Sequence, residues 1–143
     1  MDADLFVAAQ DPLWDDVLTQ LRAGAKRTHW MWFVFPQVAG LGRSAMAQRY
    51  ALTGLAEARE YLAHPVLGPR LRECTELLTA HADRSALQVM GPPDDVKLRS
   101  SMTLFARAVP DEPLFAEVLD AYFDGEPDTA TDDLLADASG SAR

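Results

Sequence analysis

Apolar residues recur along this chain at three- and four-residue spacing and never sustain an alternation of period two, so the pattern predicts helices throughout. Leu5, Phe6 and Ala9 mark the apolar side of a short N-terminal helix, which Asp11-Pro12 breaks while offering an N-cap with proline at the first helical position. Trp14, Val17, Leu18 and Leu21 then form an amphipathic stripe that ends at Ala23-Gly24. The run Trp30–Phe35 is too short to separate helix from strand by periodicity. Its helical neighbours favour a short helix, with Thr28 as cap and Pro36 as terminator. Ser44 is expected to cap a helix to about Tyr50, and Thr53 to open one carrying Leu55, Ala58 and Leu62 that stops at His64-Pro65. Leu67, Leu71, Cys74, Leu78 and His81 give the clearest stripe. His64 and His81 fall at helix ends, where imidazoles bond terminal carbonyls.

Ser85 predicts a short helix to Met90, and Gly91-Pro92-Pro93 a rigid break. Asp94 or Asp95 then opens a helix with an acidic first turn, whose stripe Leu98, Met102, Phe105 and Val109 should face the core. Lys97, Ser101 and Leu104, with Ser100 close by, predict an exposed polar face on the same helix. Pro113 starts a helix with Phe115, Val118, Leu119 and Tyr122 that stops at Asp124-Gly125, and Asp128 to Leu135 hold a last turn or two. The expectation is an all-α fold: one helical domain over residues 1–136, built of short helices with Pro and Gly breaks, and a disordered tail over 137–143.

Length and composition narrow the class. A chain of 143 residues, 48% hydrophobic and 24% charged, can bury one core, and no apolar run is long enough for a membrane span. The acidic start Met1-Asp-Ala-Asp is unlike a secretory signal, so a cytoplasmic location is expected. One cysteine, Cys74, leaves no internal disulfide, and its place in a leucine stripe predicts a buried hydrophobe. The net charge of −9 argues against general nucleic-acid binding. The distribution is informative: from Val17 to Ala56 there is no carboxylate, while Arg22, Lys26, Arg27, Arg43 and Arg49 all fall inside. Such a window is either a local positive field suited to an anion or a set of cations that pair with the acidic C-terminal third.

Three clusters carry candidate chemistry. Thr28-His29-Trp30-Met31-Trp32 sets a titratable imidazole among aromatics, as an acid or base or as a packed helix cap. Gly40-Leu41-Gly42-Arg43-Ser44 combines a flexible turn, a helix start and a guanidinium, an anion site or a simple turn. Asp94 to Thr103 crowds carboxylates, Lys97, Ser100 and Ser101 at one helix start, where the aspartates serve chemistry or capping. The histidines are far apart and no metal-ligand spacing exists, so neither a metal nor another cofactor is expected.

The stretches His29-Trp-Met-Trp-Phe-Val-Phe-Pro-Gln37, Gly40-Leu-Gly-Arg-Ser44, His64-Pro-Val-Leu-Gly68 and Asp94-Asp-Val-Lys-Leu-Arg-Ser-Ser-Met-Thr-Leu-Phe105 resemble the bacterial domain-of-unknown-function family 1810, sometimes mislabelled calpastatin, over about Leu5 to Leu135. The resemblance implies a mainly helical single domain and no established activity. Arg70 to Leu78 and the segment from Asp94 onward are similar, much more faintly, to the NADAR family of ADP-ribose-processing proteins and N-glycosidases. That likeness makes an ADP-ribose-like nucleotide a candidate ligand but matches no complete motif, so no residue roles come with it. The residues leave two readings. In one, Lys26, Trp30, Trp32, Gln37, Arg43, Ser44, Lys97 and Ser101 bind an anionic, phosphorylated or nucleotide-like small molecule, with His29 and Asp94 as acid or base of a hydrolase. In the other, exposed tryptophans and cations make a non-catalytic docking surface for a protein partner of unknown identity.

Overall fold

In the computed structural model, which describes residues 1–141, helices occupy the segments between the Pro and Gly breaks. α1 (Ala3–Gln10) is capped by Asp2, which accepts from Leu5 N at 3.2 Å. The chain then runs through a 3-10 turn (Asp11–Leu13) into α2 (Trp14–Arg22). Asp11 is therefore no N-cap. Its backbone stays helical at φ −50°, ψ −49°, whereas a cap needs an extended residue, and its carboxylate pairs with Arg70 at 2.8 Å. α3 (Met31–Val34) is the short helix expected before Pro36, although Thr28 does not cap it. α4 (Ala45–Arg49) starts on Ser44, whose Oγ accepts from Ala47 N at 3.1 Å.

α5 (Leu55–Ala63) and α6 (Leu67–Thr79) meet at His64. Its Nδ1 accepts from Val66 N and Leu67 N at 3.1 and 3.2 Å, so this imidazole satisfies the start of α6 rather than the carbonyls that end α5. His81 does meet a helix-terminal carbonyl, that of Arg22, at 3.1 Å. α7 (Ala86–Met90) carries a capping box between Ser85 and Gln88. A cis Pro92–Pro93 bond leads into α8 (Asp94–Ala108), then come α9 (Leu114–Phe123) and α10 (Thr129–Ser141). Of the tail expected over 137–143, residues 137–141 continue α10 and 142–143 lie outside the described residues.

The fold is all-α. Among the described residues there is no strand, only an isolated parallel bridge between Val38 and Leu52 that fixes the chain after α3 against the approach to α5. No described helix is long and apolar enough to cross a membrane. Buried side chains from Phe6 in α1 to Leu135 in α10 join one cluster. Its aromatic spine runs Phe6–Tyr61–Phe105–Phe115 with ring centroids 5.3, 5.7 and 5.6 Å apart. Each fully buried large side chain contributes roughly 1.5–3 kcal/mol, and offset aromatic pairs add to that.

α8 is the central element, packed on α5, α7, α9 and α10. Every residue from Ser100 to Phe105 is buried, so the helix has no exposed polar face there, contrary to the expectation for Ser101 and Leu104. The hydroxyls fit because most of them are paired. Ser100 Oγ donates to Asp128 Oδ2 at 2.9 Å, and Thr103 Oγ1 donates to Arg99 O at 2.8 Å while accepting from Asp128 N at 2.9 Å. Charged side chains of α8 meet solvent at Arg99 and Arg107 and at its N-terminal turn, which lies beside the segment that follows α2.

Candidate functional site

The segment linking α2 to α3 is shaped from below by Gln20, a residue that no sequence motif pointed to. Its Oε1 accepts from Arg27 N (2.9 Å), Thr28 N (3.2 Å) and Trp30 Nε1 (3.0 Å), and its Nε2 donates to Thr28 Oγ1 (2.9 Å). Gly24 begins the segment at φ +66°, and a Cβ there would also lie 2.7 Å from the His81 ring, so both backbone and space require glycine. Lys26 N donates to Val89 O at 2.7 Å, tying the loop to the end of α7. The loop is thereby brought against Pro92, Pro93 and the first turn of α8.

A cleft of about 360 Å³ opens between these pieces, lined by Lys26, Arg27, Thr28, His29, Met31, Trp32, Met90, Pro92, Pro93, Asp94 and Lys97. That is near the lower end of small-molecule sites, roughly 300–1,000 Å³. Its polar centre is Asp94. One carboxylate oxygen meets Lys26 Nζ at 2.7 Å and the other faces Lys97 Nζ at 3.8 Å. Asp94 makes no capping hydrogen bond, so the capping reading fails for it, although a carboxylate in the first turn still suits the helix dipole. The Lys26 side chain is only 4% exposed; its ammonium also donates to Thr28 O at 2.5 Å and lies 4.7 Å from the centre of the Trp30 ring. Lys97 remains 26% exposed and sits 5.3 Å from the centre of the Trp32 ring.

The candidates drawn from the sequence separate into three groups. Lys26, His29, Trp32, Asp94 and Lys97 all line this cleft. Trp30 is fully buried beneath it, and Ser101 is fully buried in the core with no partner for its Oγ. Arg43 and Ser44 are exposed at the start of α4 and border neither this cleft nor its neighbour. The glycine-containing turn contributes differently: Leu41 and Gly42, with Gln37, line a second cleft of about 360 Å³ that also takes in Pro93, Val96, Lys97, Ser100, Asp128 and Ala130. Pro93 and Lys97 belong to both.

Among the described residues the cations of the carboxylate-free window form no salt bridge with the acidic C-terminal third. Of the cations in the carboxylate-free window, Lys26 is the one that forms a salt bridge among the described residues, and its partner lies on α8 rather than in the C-terminal third. The acidic C-terminal third is met instead by Arg72 with Glu112, Arg99 with Glu126 and Arg107 with Asp132. Arg27 stays exposed at the cleft. Three cations, Lys26, Arg27 and Lys97, therefore line a cleft that holds one carboxylate, Asp94. Among the described residues no three His, Cys, Asp or Glu side chains are grouped as a metal ion would require. Trp32 Nε1 is buried without a hydrogen-bond partner.

A family described as "Protein of unknown function (DUF1810)" matches residues 1–135. Among solved structures, the conserved hypothetical protein Rv1873 from Mycobacterium tuberculosis is similar at 52% sequence identity with a TM-score of 0.92, over 94% of this chain and 96% of that one. No curated protein shows significant similarity to the chain.

Proposed function

We propose, for a chain that belongs to the family of proteins of unknown function DUF1810, a function read from its cleft: binding of an anionic small molecule, phosphorylated or nucleotide-like, between the loop after α2 and the start of α8. The observation that carries this reading is the excess of positive charge around Asp94. Lys26 is committed to that carboxylate at 2.7 Å, while Lys97, 26% exposed and 3.8 Å away, can turn to an incoming anion. Lys26 acts as a positioning residue, Lys97 and Arg27 as the direct contacts, and Trp32 as the wall. Charge-assisted hydrogen bonds of this kind are worth about 1.5–3 kcal/mol each. A hydrolytic role draws support from one further feature: Asp94 and His29, groups of the type that serve as acid or base, line the same cleft as these cations. The docking-surface reading keeps only one of its two tryptophans, because Trp30 is fully buried while Trp32 is half-buried beside Lys97.

Thermal shift against inorganic phosphate, sugar phosphates and nucleotides tests the reading. A ligand at a hundred times its Kd adds about 2.7 kcal/mol, which at roughly 2–4 °C per kcal/mol is a rise in Tm of about 5–11 °C. Lys97→Ala should abolish that rise while changing the unliganded Tm little, since a partly exposed i, i+3 pair contributes less than about 1 kcal/mol. If no compound in the panel shifts the wild-type Tm, the reading is wrong.

A further inference from the structure

The two clefts that share Pro93 and Lys97 run consecutively along one flank of α8, from Asp94 at its start to Ser100. Six residues of helix advance about 9 Å. The opposite wall is continuous in sequence too, passing from His29 and Trp32 to Gln37 and then Leu41 and Gly42, with the Val38–Leu52 bridge fixing its course. The ends of this groove differ in charge. Lys26 and Arg27 stand with Asp94 at one and Lys97 at the junction, whereas the other carries Asp128 and the Gln37 amide beside Leu41 and the 61% exposed Val96. Asp128 accepts from Ser100 Oγ, Thr131 N and Thr131 Oγ1, all on Oδ2. Its Oδ1 keeps the capacity to accept from a hydroxyl or amino group.

We infer that the two clefts act as one polarised groove whose ligand carries a single phosphoryl end and a neutral, hydrogen-bond-donating far end, the size and character of a nucleoside monophosphate. This rests on the anion-binding reading above and narrows it. A lone phosphate fills only the cationic end, and a molecule with phosphoryl groups at both ends meets the Asp128 carboxylate with like charge. The apolar middle suits a ribose or base face, and Gln37 offers both a donor and an acceptor where a base edge would arrive.

Isothermal titration calorimetry with inorganic phosphate, AMP and fructose 1,6-bisphosphate tests the inference on the full chain. The wild type should bind AMP at least tenfold more tightly than phosphate, and more tightly than the bisphosphate. Val96→Trp, which fills the far cleft from an exposed helical position, should bring AMP to the affinity of phosphate and leave phosphate within twofold of wild type. Gln37→Ala provides a second, smaller perturbation that should weaken AMP alone. Equal affinity of the wild type for phosphate and AMP, a bisphosphate that binds as tightly as AMP, or a Val96→Trp variant that weakens both ligands alike overturns the groove and leaves anion binding standing. Failure of every ligand to bind overturns both.

Discussion

Gln20→Ala isolates the contribution of one half-buried amide to the loop that carries half of the cleft. The side chain makes four hydrogen bonds, three accepted by Oε1 and one donated by Nε2. They are unequal in consequence. The Arg27 and Thr28 amides lie at the surface, so water replaces Gln20 there at little cost. Trp30 is fully buried, so its indole N–H loses its acceptor without replacement, at about 1–3 kcal/mol. With the residual loop bonds, the loss sums to about 3 kcal/mol, or a fall in Tm of roughly 10 °C for a domain of this size. Gln20→Glu is the discriminating variant. A carboxylate still accepts from all three N–H groups, and the Thr28 hydroxyl can reverse its role and donate to the second carboxylate oxygen, so the variant's loss should be less than half as large. Urea unfolding followed by far-UV circular dichroism measures both. A Gln20→Ala loss below about 0.5 kcal/mol, or equal losses in the two variants, would refute the claim that the indole acceptor dominates.

Two further outcomes follow from groups outside the cleft. Ser101 is fully buried and its Oγ has no partner, so Ser101→Ala removes a desolvated hydroxyl and should be neutral or stabilising by up to about 1 kcal/mol in the same urea assay; a loss above 1 kcal/mol would mean the hydroxyl is paired. Burial alone would raise the Glu57 carboxyl, but the hydrogen bonds it accepts from the Met1 amine at 2.9 Å and Thr53 N at 2.8 Å outweigh burial and hold it below its ordinary 4.5. A carboxyl depressed on folding contributes stability that is present above about pH 4.5 and lost as pH falls through its lowered value, while the Met1 amine, raised above 8.0 chiefly by the hydrogen bond to Glu57, loses its share as pH rises through that raised value. Glu57→Gln should flatten the stability profile between pH 3 and 5, and a parallel profile would exclude the pair as its cause.

The helices were legible in the sequence because their signals are local. Stripes such as Leu67, Leu71, Cys74 and Leu78 are buried as their spacing requires, and Ser44 and Ser85 cap where a serine precedes an apolar run. What the sequence hid depends on neighbours. α8 carries one apolar stripe and a run of small hydroxyls, which reads as an exposed polar face, yet four other helices pack around it and two of the three hydroxyls find partners, on Asp128 just before α10 and on its own carbonyls. Asp11 sits where a cap belongs but inherits a helical backbone from α1, and the cation it meets is Arg70 on α6. No local pattern encodes either outcome.

The tryptophans show why the densest stretch of the sequence is not itself the site. Trp30 precedes α3 with a non-helical backbone at φ −139°, ψ 7°, whereas Trp32 lies within the helix, and the two indoles take different surroundings. Trp30 turns inward to Gln20 with Lys26 over its ring, while Trp32 turns to the cleft and meets Lys97. Each indole thus holds one of the two lysines that flank Asp94, one from the loop after α2 and one from the first turn of α8. Such a contact is worth about 0.5–1 kcal/mol at an exposed site and more where the cation is desolvated, and here both lysines also share a carboxylate. Lys26, nearly buried, has its contacts within the protein; Lys97, held less tightly, is the cation with freedom to change partner. The sequence could supply both residues and their charge, but this asymmetry comes from where the fold buries each one, and it is the asymmetry that makes Lys97→Ala the informative substitution for ligand binding.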